Sequence, residues 1–130
     1  MIYLWLDDER PAPLHADCGV VWTVVKTADD AIEALKKGDV EFASLDHDLA
    51  DEHYQEFFRA HEEGRAVDTS QCKERTGYDV LNWMEENDVW PPAGVRIHTA
   101  NTSRGPVMVG VVQRHYGRHF QWSWPWKETN

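Results

Sequence analysis

The 130-residue sequence has two cysteines, no long hydrophobic run and little positive charge. Cys18 and Cys72 lie far apart and form no C-x-x-C spacing, which argues against a metal knuckle or a redox pair, so we expect reduced thiols. No segment is apolar enough to indicate a transmembrane helix. The first residues reach the carboxylates of Asp7 and Asp8 without the basic run that begins a signal peptide. We therefore expect a cytoplasmic protein with no membrane partner.

The charge balance restricts the partners that the chain can bind. Thirteen lysines and arginines stand against 23 aspartates and glutamates, a formal net charge of −10. Such a chain lacks the broad basic footprint that binds nucleic acid through many phosphates. An acidic cleft can still accept one small or terminal phosphate once a divalent cation has neutralised its carboxylates. The expected partner is a small phosphate-containing substrate or an RNA terminus, and the oligomeric state stays open.

The order of apolar and amphipathic segments predicts an α/β fold. Length and composition indicate a single domain over residues 1–130. Short apolar or β-branched runs predict strands at Ile2–Leu6, Val20–Val25, Glu41–Leu45 and Val95–His98, with a fifth in the tryptophan-rich stretch Phe120–Trp126. Strands that alternate with helices pair in parallel through right-handed crossovers. We expect a doubly wound, mainly parallel sheet in which the first, third and fourth strands are adjacent.

Capping and turn signals place the helices. Thr27 and Thr76 each precede an acidic residue at the third helical position, as in a capping box. Gly105 and Pro106 begin a further helix. Residues 50–75, between the third strand and the helix at Thr76, are polar and predict an insertion with one short helix.

Carboxylates gather where the predicted strands end. Asp7 and Asp8 follow the first strand and Asp46 follows the third, so they meet at one edge of a parallel sheet, where α/β folds bind ligands. Three neighbouring carboxylates repel one another unless a proton or a cation intervenes, and hard oxygen ligands suit Mg²⁺, Mn²⁺ or Ca²⁺, of which we expect Mg²⁺ or Mn²⁺. Two alternatives stay open: Asp7 or Asp8 caps a turn, and Asp48 caps a helix.

Two histidines follow the same strands. His47 and His98 have side chains that titrate near neutrality and could act as base and acid toward one phosphate. The alternative is that each is a hydrogen-bonded structural residue. Arg10 could contact phosphate oxygens in a bidentate way or be a structural partner for Asp8. Thr99 and Asn101 could orient a phosphate, although both residue types are ordinary in turns.

Four motifs taken together carry a family resemblance: DDERP at 7–11, LDHDL at 45–49, TGYD at 76–79 and HTAN at 98–101. They resemble the cyclic-phosphate-processing receiver-like family, histidine-bearing relatives of response-regulator receiver domains. The resemblance implies a flavodoxin-like fold, with Asp7, Asp8 and Asp46 on the metal and phospho-acceptor positions. His47 and His98 are then the residues that the modified family adds. The chain departs from ordinary receivers because the lysine nearest the expected fifth strand, Lys127, follows a proline and a tryptophan.

Two main functions follow. The first is a metal-assisted phosphoesterase acting on a cyclic nucleotide or a 2′,3′-cyclic phosphate RNA end, with His47, His98 and Asp46 catalytic. The alternative is a non-catalytic or phospho-accepting receiver module that takes phosphate on Asp46. A binding domain with a degenerate pocket also fits, because no motif here fixes a reaction.

Overall fold

The computed structural model describes residues 2–12 and 21–117. Within these ranges one four-stranded sheet forms, and its strands are β1 (Ile2–Leu6), β2 (Trp22–Val25), β3 (Val40–Leu45) and β4 (Val95–Ile97). The β-branched and aromatic residues of these segments suit a pleated, buried surface.

The sheet is wholly parallel among the described strands, in the order β2-β1-β3-β4. Its register aligns Leu4 with Ala43 and Val95, and Leu6 with Leu45. The predicted adjacency of the first, third and fourth strands is confirmed, and the order is that of the flavodoxin-like, receiver-like fold. The carboxyl ends of β1, β3 and β4 therefore meet at one edge.

Four helices are described, namely α1 (Ala28–Lys36), α2 (Asp51–Glu63), α3 (Gly77–Asn87) and α4 (Gly105–Tyr116). The buried stripes of α1, α3 and α4 pack together against one face of the sheet, on the row that contains Leu4, Leu6 and Leu45. This layer is the main hydrophobic core, and it holds the strand ends in fixed positions.

Both threonines cap their helices, and the full capping box is described only for Thr76. The Thr27 hydroxyl accepts a hydrogen bond from the Asp30 amide at 3.1 Å. Thr76 forms a reciprocal capping box with Asp79, whose carboxylate accepts from the Thr76 amide at 2.8 Å. These bonds satisfy amides that the first helical turn leaves without partners.

The opposite face of the sheet is aromatic. The Trp22 ring makes edge contacts with Tyr3, Trp5 and Phe42, at centroid distances of 5.4 to 6.2 Å. Trp5 and Phe42 are buried. The predicted strand Phe120–Trp126 lies outside the described residues, as does Lys127.

The expected insertion contains a longer helix than its sequence suggested. Helix α2 has 13 residues, and its polar side chains bond to the following loop. The buried His53 ring bonds to the Leu49 amide and the Glu74 carbonyl, while Glu56 forms an ion pair with Arg65. The polar pattern obscured this helix because its buried positions carry hydrogen-bonded groups. None of the described helices is long and apolar enough to cross a membrane.

Candidate functional site

The three predicted carboxylates meet at the sheet edge. One ligand oxygen from each of Asp7, Asp8 and Asp46 lies within 4.8 Å of the others. Asp7 and Asp46 are buried because they directly follow β1 and β3 in the middle of the sheet, whereas Asp8 is partly exposed. Three clustered carboxylates are the hard oxygen donors that Mg²⁺ and Mn²⁺ prefer, so the residues present fit a divalent cation.

Asp7 accepts four hydrogen bonds. Its Oδ1 accepts from the backbone amides of Glu9 and Arg10, both at 2.9 Å. Its Oδ2 accepts from Arg10 Nε at 3.0 Å and is 3.1 Å from His98 Nε2. The turn-capping role left open for Asp7 is therefore present, and it coexists with membership of the acidic cluster.

Asp46 is a buried carboxylate whose charge is only partly compensated. Its Oδ1 accepts from the His47 amide at 2.8 Å, and its Oδ2 lies 3.3 Å from Arg10 Nη2. Burial, reinforced by the charge of Asp7, raises the pKa of Asp46 from 3.8 to about 6. Hydrogen bonding from Thr99 and the attraction of Arg10 oppose this rise in pKa without cancelling it.

Arg10 bridges the two buried carboxylates. Besides its contacts with Asp7 and Asp46, its Nη2 donates to the His98 carbonyl at 3.1 Å. The Arg10 carbonyl accepts from Trp5 Nε1 at 2.9 Å, which anchors the turn after β1. Desolvation would lower the pKa of Arg10, but the charges of Asp46 and Asp7 outweigh it and raise that pKa. Arg10 therefore has a structural role, but the expected partner Asp8 was wrong: the ion pairs described for Arg10 are with the buried Asp7 and Asp46, while Asp8 accepts from Tyr54.

His98 is held on three sides. Its Nδ1 lies 2.6 Å from the Ser44 hydroxyl and its Nε2 lies 3.1 Å from Asp7 Oδ2. Its ring stacks on Trp5, with centroids 3.9 Å apart and planes inclined by 10°. Burial lowers the pKa of His98 to about 4, despite the opposing charge of Asp7. The imidazole is neutral at pH 7, and both of its nitrogens are engaged.

His47 belongs to a second buried network. Its Nδ1 lies 2.7 Å from Asp48 Oδ1, and its Nε2 is buried with no hydrogen-bond partner among the described residues. The Asn101 amide nitrogen lies 3.3 and 3.4 Å from the two Asp48 oxygens. Asp48 does not cap α2, since the N-cap residue of that helix is Ala50 and the helix has no side-chain cap. That alternative was wrong.

Asn101 has a clear structural task. Its Oδ1 accepts from the amides of Ser103 and Arg104 just before α4, at 3.1 and 3.0 Å. The backbone amide of Asn101 donates to the Thr99 hydroxyl at 3.1 Å. Asn101 is buried, so it joins Asp48 to the start of α4. Its predicted contact with substrate stays a prediction.

Gly77 allows α3 to begin against the end of β3. A Cβ atom at this position would lie 1.7 Å from the Asp46 carbonyl oxygen and 3.1 Å from Met108 Cε. The Gly77 amide also donates to the His47 carbonyl at 3.0 Å. The missing side chain thus lets the helix fix the backbone that carries Asp46 and His47.

A pocket of about 220 Å³ opens beside the cluster. Arg10, Asp46 and Thr99 line it, and Asp48 and Tyr54 contribute as well. Neither predicted catalytic histidine forms part of the described wall of this pocket. The structure therefore brings the predicted residues together, with Arg10, Asp46 and Thr99 at the pocket surface. His47 and His98 are buried behind this surface.

Tyr54 is the site residue that sequence reasoning missed. It projects from α2, and its hydroxyl lies 2.9 Å from Asp8 Oδ1 and 3.0 Å from the Asp48 carbonyl, two acceptors that share its one proton. The available signal was its place among the aromatic residues of a predicted helix, which gave no indication of a carboxylate partner. The segment 50–75 thus helps to build the site.

The strand order and the acidic strand ends together define a receiver-type α/β domain. The family model for the cyclic-phosphate processing receiver domain matches residues 2–114, and the chain belongs to this family. Comparisons with curated proteins and with solved structures found no match. The family assignment made from the four motifs is confirmed.

Proposed function

We propose that this domain is a metal-assisted phosphoesterase that opens a cyclic phosphate, either a cyclic nucleotide or a 2′,3′-cyclic phosphate RNA end. The observation that carries the proposal is one pocket wall that combines Arg10, Asp46 and Thr99 beside three clustered carboxylates. Asp7, Asp8 and Asp46 would hold the cation, with Mg²⁺ or Mn²⁺ as the natural choices. When bound, such a cation supplies positive charge that offsets the carboxylates and the phosphate.

The pocket favours recognition of the phosphate over recognition of a whole nucleotide. Its volume of about 220 Å³ is below the range usual for drug-sized ligands, so a base would lie outside it. The Arg10 guanidinium can form a bidentate contact with two phosphate oxygens, and Thr99 offers a hydroxyl to a third. These two side chains would orient the phosphorus for attack by water.

Hydrolysis requires two proton movements. Water attacks phosphorus, one P–O bond of the ring breaks, a base takes a proton from the water and an acid gives one to the leaving oxygen. We assign the two roles to His47 and His98. Asp48 holds Nδ1 of His47, while Nε2 has no hydrogen-bond partner in the part of the chain that the structure describes, which makes His47 the better base. Because His98 is neutral at pH 7, it would first have to gain a proton, and it would have to exchange its bond to Asp7 for one to the leaving group, before it could act as the acid.

The test is a screen of the full chain against cyclic substrates. We expect 2′,3′-cyclic nucleotides or cyclic-phosphate RNA ends to yield monoesters with Mg²⁺ or Mn²⁺ and no product in EDTA, as measured by chromatography. Arg114→Gln is a suitable control, because Arg114 pairs with Glu85 on the helical face, and it should retain full activity. Absence of hydrolysis for every substrate with either metal would contradict the proposal.

One observation favours the phospho-accepting alternative. Asp46 borders the pocket and bonds to Thr99, whereas both histidines are enclosed behind it. A receiver module would take phosphate on Asp46 from a small phosphodonor in the presence of Mg²⁺. Intact-mass analysis after incubation with acetyl phosphate distinguishes the two functions. A stable adduct in the wild type, absent in Asp46→Asn and unaccompanied by hydrolysis, would favour the signalling module.

A further inference from the structure

The hydrogen bonds of Asp7 leave no acceptor position for a cation. A carboxylate offers about four lone-pair sites. Asp7 already receives two backbone amides on Oδ1, and Arg10 Nε and His98 Nε2 on Oδ2. A cation that binds Asp7 must therefore displace one of these four donors.

Arg10 is the donor that can leave. The two backbone amides belong to the turn that follows β1, and moving them would unfold that turn. His98 is buried, bonded to Ser44 and stacked on Trp5. The Arg10 side chain, in contrast, is 49% exposed and borders the pocket, so its guanidinium can rotate away without disturbing the core.

The same guanidinium also occupies Asp46. Its Nη2 lies 3.3 Å from Asp46 Oδ2, so Arg10 contacts two of the three carboxylates that would hold the cation. One side chain thus both fills acceptor positions and places a positive charge at the cluster. A divalent ion and this guanidinium repel each other at such short range.

We propose that Arg10 is the resident counterion of the acidic cluster and that a divalent cation displaces it. The displaced guanidinium then turns into the pocket and serves as the phosphate ligand. This inference rests on the proposed function and specifies how the site is regulated. Arg10 cannot form its full set of contacts with the carboxylates and with the phosphate at the same time. A cation that displaces Arg10 from the carboxylates therefore increases the affinity for phosphate, and by thermodynamic linkage phosphate increases the affinity for the cation.

The first experiment measures Mn²⁺ binding by calorimetry in mildly alkaline buffer without substrate. Arg10→Gln should bind Mn²⁺ roughly 10- to 100-fold more tightly than the wild type, since a competing charge is removed at contact distance. The control Arg114→Gln removes a positive charge remote from the cluster and should leave the affinity unchanged. Adding inorganic phosphate should tighten Mn²⁺ binding more in the wild type than in Arg10→Gln.

A second measurement needs no variant. The Nε–H group of Arg10 bonds to a buried carboxylate, so its nitrogen–proton signal in NMR spectra should be protected from exchange. Titration with Mg²⁺ should shift this signal and remove its protection as the guanidinium leaves Asp7. An Arg10 signal that is unchanged at saturating Mg²⁺ would overturn the inference, whatever the folding of the variants.

The outcomes separate this inference from the proposed function. If Arg10→Gln binds Mn²⁺ no more tightly than the wild type, the counterion role is wrong while the metal site stands. If neither protein binds Mn²⁺, both the inference and the metal assistance fail. Tighter Mn²⁺ binding in Arg10→Gln, together with no hydrolysis of any substrate by the wild type, would support the counterion role and count against the phosphoesterase.

Discussion

Replacing Asp46 with Asn should stabilise the metal-free protein. Asp46 is buried, and desolvation with help from Asp7 raises its pKa to about 6, so the folded chain holds the charged form at an energetic cost at pH 7. Asn has nearly the same shape without the charge, and its carbonyl can still accept from the His47 amide. The substitution removes the cost and most of the cation site at the same time.

The pKa shift sets both the size and the pH range of this effect. A rise from 3.8 to about 6 corresponds to about 3 kcal/mol, at about 1.4 kcal/mol for each pH unit. Since the folded state binds the proton more tightly than the unfolded state, this cost is absent below about pH 4 and complete above about pH 6. The shift already includes the attraction of Arg10, but the Asn NH₂ group would face the Arg10 guanidinium and reduce the gain, so we expect about 1 to 3 kcal/mol at pH 7.

Asp7→Asn is the matched control and should act in the opposite direction. Asn at position 7 keeps an oxygen for the two backbone amides but presents an NH₂ group to Arg10 Nε and His98 Nε2. Two donors then lose a charged acceptor, which should lower the free energy of unfolding by at least about 2 kcal/mol. The same chemical change, Asp to Asn, should thus raise the free energy of unfolding at position 46 and lower it at position 7.

Urea unfolding in EDTA at pH 7 and at about pH 4 measures both variants. Added Mg²⁺ at 100 times its dissociation constant should stabilise the wild type by about 2.7 kcal/mol and Asp46→Asn by much less. Destabilisation by Asp46→Asn at pH 7, or a gain that persists unchanged at pH 4, would refute the claim that Asp46 is held charged at a cost.

Three further substitutions test the surroundings of the cluster. In urea unfolding, Gly77→Ala should lower the free energy of unfolding by about 3 kcal/mol, because the added Cβ meets the Asp46 carbonyl oxygen. The control Gly110→Ala, where nothing lies within 4 Å of the added Cβ, should raise the free energy of unfolding by about 0.5 to 1 kcal/mol. His98→Ala should lower turnover roughly 10²- to 10⁴-fold and also lower stability by about 2 to 4 kcal/mol; turnover at the wild-type rate would leave this histidine a structural role alone. Tyr54→Phe should lower the free energy of unfolding by about 1 kcal/mol and weaken Mn²⁺ binding several-fold in calorimetry, because its hydroxyl bonds to Asp8. An unchanged Mn²⁺ affinity would show that this hydroxyl does not position the Asp8 carboxylate.

The sequence predicted the parts of the fold that depend on local patterns. The apolar runs ending in Asp7 and Asp46 predicted buried parallel strands, because strands covered on both faces contain few polar residues. The Thr76 capping box was predicted from spacing alone, because the bonds it forms lie within four residues. Helix α2 was underestimated because the buried His53 and Glu56 are polar and satisfied by loop groups distant in sequence.

The candidate site was predicted in composition but not in contacts. The sequence placed Asp7, Asp46 and His98 at one sheet edge, since parallel strands end together. It could not show that His98 faces Asp7 and Ser44 instead of the pocket, because that depends on strand register and on the ring of Trp5. The bridging position of Arg10 was equally hidden, since the sequence suggested Asp8 as its partner, whereas its side chain contacts Asp7 and the sequence-distant Asp46.

Asp46 and His98 have opposite effects on the stability of the metal-free protein as pH changes. Burial holds the pKa of His98 at about 4, below its ordinary 6.5, so the unfolded chain binds the proton more tightly and stability rises with pH between these values. Asp46 does the reverse between 3.8 and about 6, so the two slopes largely cancel in the wild type. Asp46→Asn removes one slope and should show stability rising from about pH 4 to pH 6.5. A bound cation would also remove the slope due to Asp46 in the wild type, because it favours the charged form of the Asp46 carboxylate. Metal and substitution should therefore give similar pH profiles by different means, because each removes the cost of an uncompensated charge at the same oxygen atoms.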